Sequence, residues 1–210
     1  MRAVARCVAV PVLAVGLTVL AVRPALAEDE KKPTAEVGKP APSFTLKNYD
    51  GKDISLKDYA GKVVILEWFN NECPYIQGRH GKNRDINAEV MKQFAGKPVV
   101  WIAIDSTKSH DPAHNQKVAE DWKIKFPILS DSEGTVGRSY GASSTPHMFV
   151  IDTKGALSYK GALDDDPQAE KGEKARNYVV QAVSALLNGS NVETSSTRPY
   201  GCGVKYAAAK

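Results

Sequence analysis

The sequence predicts an α/β sandwich, in which helices cover a central β-sheet. Short apolar runs typical of buried strands alternate with segments whose apolar residues recur at helical spacing. A late pair of strands and a last helix follow this alternation. The chain of 210 residues is long enough for one such domain with a full hydrophobic core.

The first 27 residues are predicted to be a secretory signal peptide. Arg2 and Arg6 precede the almost wholly apolar run 8–22, and Ala25-Leu26-Ala27 supplies the small residues of a cleavage site. The alternative is an uncleaved anchor, but the run is shorter than the about 20 residues that a membrane span needs. We therefore expect an exported protein, periplasmic or secreted, with no stable membrane association.

Cleavage would leave a nearly neutral chain with two cysteines. Residues 1–27 carry three of the 28 basic residues and no acids, so 25 basic and 24 acidic residues remain, a net charge of +1. This balance gives no reason to expect nucleic acid as a partner. Cys7 would leave with the signal, whereas Cys73 and Cys202 remain. A single disulfide between them would be a small framework for a domain of this size. A chemical role for the two cysteines is therefore at least as well supported as a structural one.

In the N-terminal half the sequence predicts a hairpin, a buried strand and a helix. Short alternating stretches flank the turn 48–51, which is typical of a hairpin. Residues 63–69 are apolar apart from Glu67, as in a strand buried on both faces of a sheet. Pro74 indicates the first position of a helix, whose apolar residues recur at helical spacing over 86–94.

In the C-terminal half two further buried strands are predicted, over 98–104 and 126–129, with a helix from Asp111 between them. A strand pair over 147–163 precedes the last helix, 175–187, whose valines and leucines form one apolar stripe.

These elements give the predicted domain limits. Residues 28–36 form a flexible lead-in, 37–189 the domain, and 190–210 a C-terminal tail without helix or strand periodicity. Cys202, flanked by two glycines, is unusual in a disordered tail.

Cys73 is the predicted reacting sulfur. A thiol reacts as its thiolate, and the free backbone N–H groups at a helix N-terminus stabilise that anion. The alternative is a buried, inert cysteine. Polar Asn70-Asn71-Glu72 before Cys73 and Pro74 after it favour an exposed thiol instead.

Several motifs resemble the redoxin (AhpC/TSA-like) branch of the thioredoxin superfamily across residues 37–189. They are Val37–Pro42 with Ser43–Leu46, Asp50-Gly51-Lys52, Ser55-Leu56 and Gly61–Leu66. The resemblance implies a thioredoxin-like sandwich with a central mixed sheet. It also implies that Trp68, Cys73-Pro74 and Thr145-Pro146 correspond to the active-site strand, the nucleophile and the cis-proline.

Two departures separate the chain from the better-known subgroups. Thioredoxin-like oxidoreductases have a second cysteine where Ile76 stands, and peroxiredoxins have proline and threonine where Leu66 and Asn70 stand. The chain therefore lacks the internal resolving thiol of one subgroup and the peroxide-binding signature of the other.

Cys202 is the candidate resolving thiol, because a mixed disulfide on Cys73 needs a second thiol to release its partner. A flexible, glycine-flanked Cys202 could reach Cys73 for this purpose. Two alternatives stay open, a permanent staple of the tail to the domain and a bridge between two chains.

The resemblance implies roles for residues around the nucleophile. Thr145 would pair with an incoming extended peptide beside a cis Pro146, and Trp68 and Pro74 would help to form the substrate surface. Glu67 resembles the buried acid of thioredoxins, which implies a proton relay for the thiols. The alternative for Glu67 is an acid at a strand end that faces solvent.

Other polar residues have weaker indications. His80 is expected to be a solvated histidine, and His147 either raises the local positive potential or points away. The run Asp164-Asp165-Asp166 is expected to form a solvated turn, and no metal site is predicted there.

The leading hypothesis is an exported thiol–disulfide oxidoreductase, with disulfide or thiol substrates and a thiol electron donor as partners. No cofactor is predicted, since the sequence has no cofactor-binding loop. A thiol peroxidase is the alternative, in which Cys202 condenses with a sulfenic acid on Cys73. A copper-binding relative using Cys73, Cys202 and His147 is less well supported, because Gln77 replaces the usual second cysteine.

Overall fold

The computed structural model describes residues 35–80, 85–168 and 170–208. The predicted signal peptide 1–27 and nearly all of the lead-in 28–36 therefore lie outside the described residues. In the described ranges, no helix has the length and apolar character that crossing a membrane requires.

The described residues contain nine strands, seven of which form one mixed sheet. In chain order the strands are β1 (Thr45–Asn48), β2 (Asp53–Ser55), β3 (Val63–Trp68), β4 (Val99–Asp105), β5 (Ile128–Ser130), β6 (Ser144–Thr145), β7 (Met148–Ile151), β8 (Leu157–Gly161) and β9 (Cys202–Gly203). The large sheet has the order β2-β1-β5-β4-β3-β7-β8, and β6 pairs with β9 separately. The central β3 is parallel to β4 and antiparallel to β7, and β1 and β2 form an antiparallel hairpin.

Five α-helices accompany these strands in the described part of the chain. They are α1 (Pro74–His80), α2 (Ile86–Gln93), α3 (Pro112–Asp121), α4 (Thr135–Tyr140) and α5 (Tyr178–Leu187), and short 3-10 turns lie at Leu56–Tyr59 and Gly172–Lys174. The side chains of Asp85, Asp111 and Asn177 accept hydrogen bonds from backbone N–H groups in the first turns of α2, α3 and α5. Because Asn177 is the cap, α5 begins at Tyr178 rather than near residue 175.

The central strand β3 is buried on both faces, as predicted. Val63 and Ile65 face the apolar layer that includes α2 and α5, whereas Val64, Leu66 and Trp68 face the layer that includes α4. The strand therefore holds the residues that follow it, Phe69 to Cys73, against a rigid core.

The C-terminal segment, residues 196–207, is docked on the domain, although the sequence predicted no strand there. Ser196 forms a β-bridge with Lys160, Cys202 pairs with Thr145, and the Tyr206 hydroxyl donates to the carbonyl of Ala142 at 2.7 Å. The strand β9 has only two residues and its partners are distant in sequence, so no hydrophobic periodicity in the sequence indicates it.

Candidate active site

Cys73 lies in a tight turn between β3 and α1. Asn70 shapes this turn, since its Oδ1 accepts from the Glu72 N–H at 2.7 Å and its Nδ2 donates to Thr107 Oγ1 at 3.0 Å. The expectation of an exposed thiol is wrong, because Cys73 is only 2% exposed. Polar residues flank it in sequence, but Thr145 and Cys202 cover it in space.

Cys73 and Cys202 are both free thiols, and their side chains contact each other. Cys73 Sγ lies 2.9 Å from the carbonyl oxygen of Thr145, to which it donates when protonated. Burial raises the pKa of Cys73, but hydrogen bonds from the Cys202 and Thr145 side chains and from the backbone of Ile76 and Cys202 outweigh it. The pKa of Cys73 therefore lies below its ordinary value.

Cys202 has the opposite electrostatic environment. Burial and the neighbouring Cys73 raise the pKa of Cys202 to about 11. When the pair loses one proton, the negative charge is therefore placed on Cys73 and the remaining proton on Cys202.

The peptide bond between Thr145 and Pro146 is cis, as predicted. Thr145 pairs with Cys202, and Ser144 with Gly203, in the antiparallel sheet of β6 and β9. Gly201 has φ +127°, and a Cβ atom there would overlap the carbonyl oxygen of Thr145, so only glycine fits. The chain's own C-terminal segment thus fills the place where the resemblance implies an incoming peptide.

Glu67 is fully buried in β3, so the solvent-facing alternative is wrong. Its Oε1 lies 2.9 Å from His80 Nε2, and its Oε2 accepts from the Trp101 indole at 3.0 Å. The expectation of a solvated His80 is also wrong, since the histidine is 4% exposed and packs between Phe69 and Phe126. A carboxylate and an imidazole therefore form a buried pair.

Of the two residues predicted to help form the substrate surface, Trp68 is buried and Pro74 is exposed. Trp68 is fully buried, and its indole donates to Ser106 Oγ at 3.0 Å, which in turn donates to Asp131 at 2.6 Å. The prediction that Trp68 helps to form the substrate surface therefore needs correction, because even-numbered residues of β3 face the layer of α4. Pro74 is exposed, directly beside Cys73.

Sequence reasoning missed a buried cluster on the other side of the site. Arg79 Nη1 lies 2.9 Å from Asp164 Oδ2, and the Tyr200 hydroxyl donates to Asp164 Oδ1 at 2.6 Å and accepts from Arg79 Nη2 at 3.1 Å. Arg79 Nη2 also donates to the carbonyl of Asp166. Asp164 and Asp166 are each 3% exposed, so the solvated turn is wrong. The Asp164 carboxylate is paired with an arginine that sequence proximity does not indicate, and the Asp166 carboxylate accepts from the N–H groups of Glu170 and Lys171.

A histidine pair beside the turn was also missed. The rings of His110 and His114 stack with centroids 3.7 Å apart. His110 Nδ1 lies 2.8 Å from Asp105 Oδ2, and His114 Nε2 lies 2.8 Å from Asn71 Oδ1. The pair connects the end of β4 to the turn that carries Cys73, and only the position of the two histidines on either side of the Asp111 cap could have suggested it.

His147 contributes no positive charge near neutral pH. Burial, with a smaller effect of Lys160, lowers its pKa to about 4. Its Nδ1 accepts from the Ser143 N–H at 3.3 Å, and its ring lies 4.4 Å from that of Phe149. Across the described ranges no three His, Cys, Asp or Glu side chains are grouped to hold a metal ion, so the copper alternative has no assembled ligand set.

The fold defines the class, a thioredoxin-like protein, here with two thiols in contact at its site. The solved thioredoxin domain of the oxidoreductase BVU-2223 from Bacteroides vulgatus shares this fold, with a TM-score of 0.52 and 20% identity. The model of the AhpC/TSA family matches residues 37–160. The chain belongs to the AhpC/TSA family, which confirms the resemblance inferred from the motifs.

Two curated relatives and one solved structure are similar to this chain. The thiol-disulfide oxidoreductase ResA of Bacillus thuringiensis is 30% identical over 127 residues, which are 60% of this chain and 70% of that protein. Peroxiredoxin Q of Triticum aestivum is 30% identical over 144 residues, 65% of this chain and 63% of that protein. An uncharacterized conserved protein from Geobacillus kaustophilus superposes with a TM-score of 0.71 and 27% identity, covering 83% of this chain and 94% of that one.

Proposed function

We propose that the chain is an exported thiol–disulfide oxidoreductase in which Cys73 is the nucleophile and Cys202 the resolving thiol. The contact between the two thiols carries the proposal, because it lowers the pKa of Cys73 and raises that of Cys202. Family membership and the similarity to ResA support the activity. The signal-like residues 1–27 support export.

The reaction has two exchange steps. The Cys73 thiolate attacks one sulfur of a substrate disulfide, a Cys73–substrate disulfide forms, and the other substrate sulfur leaves as a thiolate. Cys202 then loses its proton and attacks Cys73 Sγ, which releases the second substrate thiolate and leaves a Cys73–Cys202 disulfide. The substrate gains two electrons from the pair, and an external thiol donor restores them.

Loss of the negative charge on Cys73 in the first step prepares the second. While Cys73 is a thiolate, its charge helps to keep Cys202 protonated. Once Cys73 is bonded to the substrate this charge is gone, and Cys202 is deprotonated more readily. Glu67 is the proposed acid of a proton relay, supported by its complete burial against the titratable side chain of His80.

A redox titration with three chains tests this proposal. The unaltered protein, Cys73→Ser and Cys202→Ser are equilibrated in graded thiol–disulfide buffers, the free thiols are trapped, and the bonds are mapped by mass spectrometry. We expect a Cys73–Cys202 bond with a potential of about −270 to −120 mV, the range of exchange catalysts. Cys202→Ser should accumulate the mixed disulfide between Cys73 and the substrate. Cys73→Ser should form no mixed disulfide, because it lacks the nucleophile.

Two results would contradict the mechanism. A bond that persists below about −300 mV would be a structural staple by the same criterion. A bond found only in covalent dimers would place Cys202 between two chains.

A thiol peroxidase is the second candidate, favoured by the similarity to Peroxiredoxin Q. The Cys73 thiolate would attack one oxygen of the peroxide, the O–O bond would break, the other oxygen would leave as water or an alcohol after protonation, and Cys73 would become a sulfenic acid. Cys202 would then attack this sulfur, the disulfide would form, and water would leave.

A further inference from the structure

The C-terminal segment is fixed at both ends of β9. Before β9, Thr197 Oγ1 lies 2.6 Å from the Tyr159 hydroxyl and accepts from the Ala162 N–H at 2.9 Å. After β9, the Tyr206 hydroxyl donates to Ala142, and the Arg138 guanidinium lies 4.9 Å from the centre of the Tyr206 ring. Cys202 is therefore held in place and is not on a freely swinging tail.

Tyr200 is the anchor nearest to Cys202. The two residues are two positions apart, and the Tyr200 side chain contacts Arg79 on α1 while that of Cys202 contacts Cys73, the residue before α1. The hydroxyl of Tyr200 reaches the ion pair of Arg79 and Asp164, whose side chains are each 2% exposed. Its ring lies 5.9 Å from that of Tyr75.

Arg79 lies on α1, the helix that begins immediately after Cys73. The helix that carries the nucleophile thus also carries the partner that holds the segment covering it. A substrate disulfide must approach Cys73 Sγ along a free direction, and Cys202 and Thr145 now occupy its surroundings. The segment must therefore lift before the first exchange step and return before the second.

We infer that Tyr200 is a positioning residue, whose hydroxyl on the buried Arg79–Asp164 pair holds Cys202 over Cys73 and so governs both exchange steps. The inference rests on the proposed function for the role of Cys202. Weaker anchoring raises the fraction of molecules in which Cys73 is open, so the first step becomes faster. It also lowers the fraction in which Cys202 returns to a substituted Cys73, so the second step becomes slower.

The variant Tyr200→Phe isolates this hydroxyl. Asp164 Oδ1 keeps Arg79 Nη2 at 3.1 Å and the Asp166 N–H at 3.0 Å, so the buried cluster stays satisfied. The phenyl ring can retain its contact with Tyr75. Tyr59→Phe is the matched control, because Tyr59 lies on the 3-10 turn after β2, outside the site.

The two steps are measured with dithiobis(nitrobenzoate), a small disulfide reagent. Attack by Cys73 releases one coloured thiolate and leaves a mixed disulfide, and attack by Cys202 on that disulfide releases the second. Because a hydrogen bond to a charged group is lost, we expect Tyr200→Phe to speed the first release about tenfold and to slow the second. Tyr59→Phe should change neither. The urea midpoint of each variant is measured beside these rates, because global unfolding would also expose Cys73 and separate Cys202 from it.

Alkylation of Cys73 by iodoacetamide, mapped by mass spectrometry, gives a readout that needs no exchange activity. Faster alkylation in Tyr200→Phe supports the anchoring role, and an unchanged rate in a folded variant overturns it. If the unaltered protein gives no second release, the proposed resolving function of Cys202 fails instead. The two failures are therefore distinct.

Discussion

Cys202 pairs with Thr145 across an antiparallel bridge, and Thr145 is the residue that precedes the cis peptide bond. The Thr145 carbonyl oxygen lies 2.9 Å from Cys73 Sγ, and its hydroxyl lies 3.5 Å from the carbonyl oxygen of Cys202. One residue of a two-residue strand therefore contacts both the sulfur proposed to react and the segment that covers it.

Substitution of Gly201 should uncover Cys73. In Gly201→Ala the new Cβ overlaps the Thr145 carbonyl, and a non-glycine residue in this backbone conformation costs about 1–3 kcal/mol. We expect alkylation of Cys73 to become about 5- to 140-fold faster, because each 1.4 kcal/mol is a factor of about ten. Gly203→Ala is the control, since a Cβ atom there meets nothing within 4 Å. Equal rates in the two variants would show that β9 does not limit access.

Stability should fall in mild acid because of His147. Its folded pKa of about 4 lies below the ordinary value of 6.5, so the unfolded state takes up the proton first as the pH falls. The stabilisation that comes from the neutral, buried His147 is fully present above about pH 6.5 and is lost progressively between about pH 6.5 and pH 4. Between about pH 7.5 and pH 4.5 the loss amounts to about 2–3 kcal/mol.

Urea unfolding at these two pH values measures the effect. His147→Gln should have a smaller pH dependence than the unaltered protein, by about 2–3 kcal/mol. An identical pH dependence in both proteins would exclude His147 as the cause.

Removal of the buried carboxylate should destabilise the fold strongly. Glu67→Ala leaves the His80 ring and the Trp101 indole without their partner, so we expect the free energy of unfolding to fall by about 3–5 kcal/mol. Asp121→Ala breaks the exposed ion pair of Lys117 and Asp121 and should leave the free energy of unfolding almost unchanged. Denaturant titrations of both variants compare the two, and similar losses would refute the argument from burial.

Hydrogen peroxide should oxidise Cys73 slowly. Asn70 stands where peroxiredoxins have threonine, and its amide is occupied by Thr107 and by the Glu72 N–H. The Cys202 segment also limits access to the sulfur. Rapid mixing with micromolar peroxide, followed by trapping of the remaining thiols, tests this expectation. Fast consumption of the Cys73 thiol would favour the peroxidase candidate over the oxidoreductase.

Features encoded locally were predictable from the sequence. The apolar run around Glu67 predicted β3 as a strand buried on both faces, and Asp111 before Pro112 predicted the start of α3. The family resemblance added the cis bond before Pro146, which periodicity alone could not supply.

Features made by distant residues were missed. The neighbours of Cys73 in sequence are polar, yet it is buried because Cys202 arrives from the end of the chain. Asp164 resembles a surface acid until Arg79, 85 positions earlier, is placed beside it. The helix α4 has six residues between Gly134 and Gly141, which is too short for a helical period to be recognised.

The pairing of β6 with β9 also has a consequence in time. Cys202 lies 57 positions after Thr145 and 202 − 73 = 129 positions after Cys73, so β9 docks only after nearly the whole domain is free to fold. In the proposed export the N-terminal part of the chain enters its compartment first, and Cys73 therefore arrives there before the segment that covers it. Until Cys202 has followed, Cys73 is open to exchange with other thiols and disulfides.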